Sequence, residues 1–308
     1  MGFLLFILKR FVRLLATVLI ISTIIFFVIR VIPGDPALVI AGIDASDEEI
    51  ASVRAKLGTD KPIGVQYIEW LGDIVRLDFG DSMISGEPVR ELIFERFPLT
   101  LSLALMGISL GILIAIPLGV VSAVRRWSAW DYFGMLFSQV GMAIPSFWLA
   151  ILLLLIFAVR FPLFPLFGLG SFRHLVLPAL SLGFVRAAVI LRLTRASMVE
   201  ELSKEYVITA RAKGLTETMV KYKHALRNAL IPVVTITGIQ FGYMLGGAII
   251  IEQVFSLPGL GRLFLYGIYQ RDFTLVQGGV VFIAVVFSLV NFLVDVLYSV
   301  INPKIRIS

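Results

Sequence analysis

Cysteine is absent from the 308 residues, and histidine occurs only at His174 and His224. These absences exclude a disulfide framework, a thiolate metal site and a cysteine nucleophile, and two histidines cannot build a histidine-rich metal centre. Charge is scarce as well, at 16% of residues against 58% hydrophobic, where a soluble domain carries roughly 25% charged residues. A mean hydropathy of +0.96 over the whole chain excludes an ordinary soluble enzyme, because a domain of this size needs a mostly polar surface. The missing polar surface faces lipid. No Gly-Lys dipeptide occurs, so the chain has no Walker A phosphate loop, and the H-E-x-x-H zinc pattern is absent too. ATP hydrolysis is not expected of this chain itself.

What is present is a set of long apolar runs. A helix needs roughly 20 apolar residues to cross the hydrocarbon of a bilayer, and six runs reach that length: Phe11 to Ile32, Pro98 to Val124, Tyr132 to Val159, Leu175 to Met198, Leu230 to Phe255 and Leu275 to Val300. The first follows a basic stretch, Lys9, Arg10 and Arg13, in the manner of a signal peptide. It continues to Ile32 without an A-x-A exit and reads as a retained span. The net charge of +6 and pI near 9.6 reflect basic residues beside the spans, so membrane topology explains them better than nucleic-acid binding. With the N-terminus inside, 15 lysines and arginines lie inside and 11 outside, six of the latter in one long loop. That loop carries 13 acidic residues and has a net charge of −7. The expectation is an all-α membrane protein with six spans and both termini inside.

The chain divides into residues 1–32 with the first span, an outer loop 33–97, a five-span core 98–300 and an inner tail 301–308. In the outer loop Ser46-Asp47-Glu48-Glu49 fits a capping box, Ile50, Val53 and Leu57 follow at helical spacing, and Gly58 is placed to stop the helix. A second amphipathic stretch carries Tyr67, Ile68, Leu71, Ile74 and Val75. Two helices lying on the outer mouth of the bundle fit better than a free-standing domain, since so few large apolar groups make a poor core. The third outer connection, Arg160 to His174, is short, and a lone His174 reads as a helix-end group rather than a nickel ligand.

The inner segment Val199 to Ala229 is basic and helical in propensity apart from Gly214, with Thr216 available to cap the stretch that follows. It reads as a helix-turn-helix projecting inward, or as a solvated loop that obeys the positive-inside rule. In the fourth span Arg192 and Arg195 are expected to snorkel to the inner interface, leaving Arg186 as the only deep charge and in need of a partner or water. Asn291 and Asp295 share one face of the last span, and Asp295 suits an ion pair or helix tether. Gly238, Gly242 and Gly246 repeat a small-xxx-small spacing on the fifth span, for close packing within the chain or for half of a pathway. Gln240 and Tyr243, offset from the glycines, are candidate pathway-lining groups.

The segment Glu205-Tyr206-Val207-Ile208-Thr209-Ala210-Arg211-Ala212-Lys213-Gly214-Leu215, followed by His224-Ala225-Leu226-Arg227-Asn228-Ala229-Leu230-Ile231-Pro232, resembles the cytoplasmic EAA loop of permease subunits in ABC-type importers. The form is that of the dipeptide, oligopeptide and nickel branch. The resemblance runs nearly end to end. It includes Pro33-Gly34-Asp35-Pro36, Asp78-Phe79-Gly80-Asp81-Ser82, Pro98-Leu99-Thr100-Leu101, Glu252-Gln253-Val254-Phe255 with Pro258-Gly259-Leu260-Gly261, and Asp295-Val296-Leu297-Tyr298 with Asn302-Pro303. In this order the motifs are those of the B-type permease half.

The resemblance implies a type I ABC importer permease (MetI-like) fold in the bacterial or archaeal plasma (inner) membrane. It implies a second, C-type permease subunit, two ATP-binding subunits that hold ATP and Mg, and an external substrate-binding protein that meets the acidic outer loop. The chain itself would hold no cofactor and no metal. Residues 199–229 become the coupling loop: Glu205 opens it, Ala210 and Ala212 permit close approach, and Arg211 and Lys213 offer contacts to the ATPase. Gly214, Leu215 and Thr216 form its turn, and His224 and Arg227 lie in its second half. The substrate implied is a di- or oligopeptide, with glutathione, opines or nickel chelates as alternatives. A secondary transporter working alone predicts paired ionisable groups at midplane and matched broken helices, and an intramembrane enzyme predicts a Ser/Lys, Asp/Asp or zinc constellation. Neither pattern is found in the spans.

Overall fold

The computed structural model describes residues 2–31, 36–42 and 45–301. Pro33, Gly34 and Asp35 of the first outer motif, Asn302 and Pro303 of the last, and the tail beyond lie outside the described residues. Among the described residues the backbone is helical except for turns and one isolated β-bridge between Asp81 and Pro88. This follows from the lipid setting, where a helix satisfies its own N–H and C=O groups without help from water.

Among the described residues, five helices are long and apolar enough to cross a bilayer singly. α1 spans Gly2–Val31. It is followed by α2 (Pro36–Ala41), α3 (Asp47–Leu57) and α4 (Ile63–Val75) on the outer side. α5 runs over Val89–Val124, starting well before Pro98, with Pro98 and Pro117 inside it. The third apolar run is broken rather than straight. α6 (Ala129–Ala143) and α7 (Ser146–Leu154), with a π-helical turn Leu155–Arg160 completing α7, meet at 100°. Pro145 causes the break: its ring holds the preceding Ile144 in extended backbone and removes the N–H that would continue the helix. α8 spans Arg173–Leu202, and the short α9 spans Glu205–Ala212. α10 (Leu226–Val254) is preceded without interruption by a π-helical segment, Met219–Ala225. α11 (Leu260–Tyr269) and α12 (Phe273–Ile301) complete the chain.

The core is built on α5 and α8. A Cβ added at Gly183 would sit 2.5 Å from the carbonyl oxygen of Gly107, so these helices touch backbone to backbone. In lipid no hydrophobic effect drives helices together, and such close contact supplies the packing attraction instead. Leu103, Ile108, Leu182, Ile190, Leu191, Met244 and Ile251 fill the space between α5, α8 and α10. α1 lies outside this core against α12. Arg10 pairs with Asp295, and Phe11 meets Phe292 edge-on at 6.2 Å, which gives Asp295 the tether role that its position suggested.

The outer segment follows its sequence signals closely. Ser46 Oγ accepts the Glu49 N–H at 3.3 Å while a Glu49 carboxylate oxygen accepts the Ser46 N–H at 2.8 Å, and Gly58 ends α3 at φ +67°. The backbone bond and then the hydroxyl bond from Ser46 hold the Glu49 carboxyl below its ordinary range. α4 docks on the outer end of α1, where Tyr67 and Trp70 pack around the buried Phe26. Trp70 and Ile74 of the same helix also pack against the outer cluster that holds Phe79, Val89, Leu260 and Leu275, so α4 rests on both the first span and the outer end of the bundle.

Candidate functional site

The inner loop is a helix, a turn and a helix that becomes the fifth span. α9 begins at Glu205, the chain turns at Lys213 to Thr216, and Gly214 takes φ +78°. That left-handed conformation is nearly free for glycine and disfavoured for residues with a Cβ. Thr216 Oγ1 accepts the Met219 N–H at 3.4 Å, and from residue 217 the backbone is helical without a break to Val254. The second half of the loop is thus a continuous extension of α10, with Pro232 inside that helix, and not a separate hairpin helix. Met219–Ala225 is π-helical, a rare form that, where it occurs, is often found at functional sites.

The sequence-assigned residues divide by face. Ala210 is buried with Val207, Val220 and Ala225 against Val120, Ala123 and Met198 at the inner ends of α5 and α8, with Leu215 packed beside them. Ala210 therefore allows close approach of the chain to itself. Glu205, Ala212, Lys213, Gly214, Thr216 and Arg227 are exposed, and His224 is half-buried. Arg211 turns back to Glu217, with Nε 2.7 Å from a carboxylate oxygen, and Lys221 joins the same carboxylate at 3.2 Å. These two cations, Arg211 first, hold the Glu217 carboxyl below its ordinary range. Glu201 anchors the start of α9: it accepts from Lys204 Nζ at 2.5 Å and from the Tyr206 hydroxyl at 2.6 Å, and Asn228 Nδ2 donates to that hydroxyl at 3.1 Å. Its hydrogen bond raises the pKa of Lys204.

Two groups of loop residues escaped sequence reasoning. Ile208 and Tyr222 are 57% and 52% exposed, and Met219 is exposed with them. Ile208 and Ala212 stand one turn apart on α9, and apolar residues on the outer face of a charged loop were the available signal. The Glu201, Tyr206 and Asn228 network had no such signal, because 22 residues separate Tyr206 from Asn228.

A second polar position lies in the middle of the membrane. Arg186, midway along α8, is half-buried and donates from Nη1 to Gln240 Oε1 at 3.1 Å; Gln240 is only 6% exposed. Gln240 is the hydrogen-bond partner of Arg186, while Tyr243, 56% exposed, faces outward from the chain. The glycine row splits. A Cβ at Gly238 would collide with Val294 and one at Gly242 would come within 2.7 Å of the Phe287 ring, so these two pack α10 on α12, whereas Gly246 faces open space. Arg195 does not simply snorkel. It grips the fully buried Asp131 through Nε at 2.5 Å and Nη2 at 2.8 Å, and Asp131 also accepts the Trp127 N–H at 3.0 Å.

Arg186 is also not the only deep charge. Glu252 is fully buried near the outer end of α10, where it accepts from Thr100 Oγ1 at 2.5 Å and from the Arg262 N–H at 3.2 Å. Thr100 Oγ1 in turn accepts the Leu260 N–H at 2.9 Å, and a Cβ at Gly259 would fall on the Glu252 carboxylate. Three motifs far apart in the sequence, around Thr100, Glu252 and Gly259, thus form one buried knot that fixes α11 to α5 and α10. Nearby, Ser82 Oγ donates to the buried Asp272 at 2.5 Å, and Asp272 caps α12 by accepting the Leu275 N–H at 3.0 Å. His174 sits at the start of α8, where its Nδ1 accepts the Ser171 N–H at 3.1 Å, the helix-end role expected of it.

A helical core of membrane-spanning helices with a packed inner loop between the fourth and fifth spans defines a multi-pass membrane protein. The chain belongs to the family described as binding-protein-dependent transport system inner membrane component, whose profile matches residues 115–307, with the N-terminal profile of the same membrane component matching residues 3–104. It is accordingly a multi-pass inner-membrane permease subunit of an ABC importer. It is 44% identical over 303 residues to the glutathione transport system permease protein GsiC of Salmonella typhimurium, and 42% identical to that of Escherichia coli, covering 98% of each chain in both cases. Among solved structures, the MetNI methionine ABC transporter in an inward-facing conformation matches with TM-score 0.59 at 21% identity, over 68% of this chain and 96% of that one. An amino acid ABC transporter crystallised with histidines matches at TM-score 0.52 and 16% identity, over 70% and 94%.

Proposed function

We propose that this subunit forms half of the translocation pathway with a second permease, and that residues 199–229 couple it to ATPases carried on separate chains. The observation that carries the reading is the continuity of helix from residue 217 to Val254. A displacement applied at the Gly214 turn is passed along this unbroken helix to the fifth span, which suits the rigid-body transitions of such machines. Ile208, Ala212, Lys213, Met219 and Tyr222 supply an exposed, mixed apolar and basic face for the ATPase. The buried Val207, Ala210 and Val220 hold that face against α5 and α8.

The substrates we assign are short peptides, and glutathione is the first to test because it stands in the names of relatives matched over nearly the whole chain. An external binding protein delivers them to the acidic outer side. The test is uptake of glutathione and of dipeptides into vesicles holding the permease pair, with and without the ATPases and the binding protein. Uptake that requires ATP and both partners is expected. Uptake by the permease alone, or ATP hydrolysis by this purified chain, overturns the reading.

A further inference from the structure

Arg186 places a guanidinium halfway along a membrane-spanning helix. Among the described residues no carboxylate lies within ion-pair distance of it; its hydrogen-bond partner is the neutral oxygen of Gln240. A buried cation in lipid is costly and stands where function requires it, facing a counter-charge, a polar cavity or a pathway. The carboxylates that are buried elsewhere in this chain already have their partners: Asp131 holds Arg195, Glu252 is held by Thr100 and backbone N–H groups, and Asp272 is held by Ser82.

The surroundings of Arg186 are open on one side. A Cβ added at Gly247 would meet Nη2 at 3.5 Å, so the guanidinium lies against α10 between the Gln240 side chain and Gly247, and bulk at that position would crowd it. Gly246 beside it meets nothing within 4 Å, and Tyr243, on the turn between, exposes its ring and hydroxyl. Gln240, through its carbonyl oxygen, orients the fork without neutralising it, and a planar fork with free N–H donors matches a carboxylate in bidentate geometry.

We infer that Arg186, oriented by Gln240 and flanked by Tyr243 and the bare Gly246 and Gly247 backbone, binds a carboxylate of the solute as it crosses the membrane. The inference rests on the importer reading and names the group by which that pathway recognises its cargo: solutes bearing a free carboxylate. An acidic side chain of the second permease is the competing source of counter-charge; the open space before Gly246, with bare glycine backbone beside the guanidinium, leaves room for a solute.

The test is equilibrium binding of labelled glutathione, which carries two carboxylates, to the purified permease and ATPase complex without binding protein. Saturable binding is expected, weakened at least tenfold in Arg186→Gln and in Gln240→Glu. The second variant places a carboxylate beside Arg186 and occupies it from within, so it keeps the helices paired if Arg186→Gln does not assemble. Unlabelled glutathione should compete, and its diethyl ester should not. Absence of binding in the unmodified complex, equal binding in either assembled variant, or equal competition by the ester overturns the inference and leaves the partner subunit as the source of the counter-charge. ATP dependence of uptake is measured separately, so failure of the importer reading is distinguishable from failure of this site.

Discussion

Replacing Gly214 separates a conformational role from a contact role at the coupling turn. Gly214 is exposed, has φ +78°, and a Cβ built on it meets nothing within 4 Å. Substitution therefore costs only what the left-handed backbone costs an L-residue, with no steric contribution from neighbours. That cost is roughly 1 kcal/mol for alanine and about 2 kcal/mol for valine, whose branched Cβ is poorly tolerated there. Asparagine adopts this conformation at little cost. With 1.4 kcal/mol equal to tenfold in an equilibrium constant, the correctly turned loop falls about fivefold for Gly214→Ala and about thirtyfold for Gly214→Val. Affinity of the permease pair for its ATPases, measured by titration in nanodiscs, should fall in the order Gly, Asn, Ala, Val, and ATP-driven uptake should follow. Asparagine as damaging as valine would mean that the partner packs on the glycine itself. Normal affinity in Gly214→Val would refute the coupling assignment of the turn.

Three further outcomes follow from the geometry. Asp131→Ala leaves Arg195 and the Trp127 N–H without their acceptor; it should destabilise by about 3 kcal/mol, the low end for breaking a buried pair, because the Arg195 side chain keeps 22% exposure. Thermal unfolding in detergent, with the Arg195→Ala double mutant to complete the cycle, checks it. Gly242→Leu drives a side chain into Phe287 and should cost about 1–3 kcal/mol, while Gly246→Leu, with open space before it, should stay within about 0.5 kcal/mol; equal losses would contradict the packing of α10 on α12. Because Glu217 titrates below its unfolded value, its clamp on Arg211 and Lys221 is complete above that value and is lost only as pH falls through the lower folded one. Hydrogen-exchange protection across residues 211–221, taken relative to the intrinsic rate at each pH, should therefore stay flat from about pH 7 to 5 and fall in Glu217→Gln at neutral pH.

Much of the fold was legible because its signals are local. The capping box at Ser46 and Glu49, the stop at Gly58 and the turn at Gly214 each depend on a few adjacent residues, and each stands where it was read. The break at Pro145 was legible in principle and was overridden by the unbroken apolar run around it, since hydropathy counts side chains and takes no account of a missing N–H. At the inner loop the turn and its cap were visible, but the inward face of Ala210 was not, because small residues serve a foreign partner and the chain's own core equally well. At mid-membrane Arg186 announced itself as a lone cation; nothing in the sequence tied it to Gln240, 54 residues away.

The sequence by itself determined that this chain lives in lipid, which runs are apolar enough to cross it and where its inner loop turns. Those properties follow from the length of an apolar run and the φ preference of single residues. Only the tertiary structure decided which polar groups meet: Asp131 with Arg195 across 64 residues, Thr100 with Glu252 across 152, Ser82 with Asp272 across 190 and Arg10 with Asp295 across 285. Helices apolar on every side carry little facial pattern to name their neighbours. Partners in lipid are selected by close backbone approach at small residues and by polar pairs that become favourable only once the bundle has removed them from every alternative.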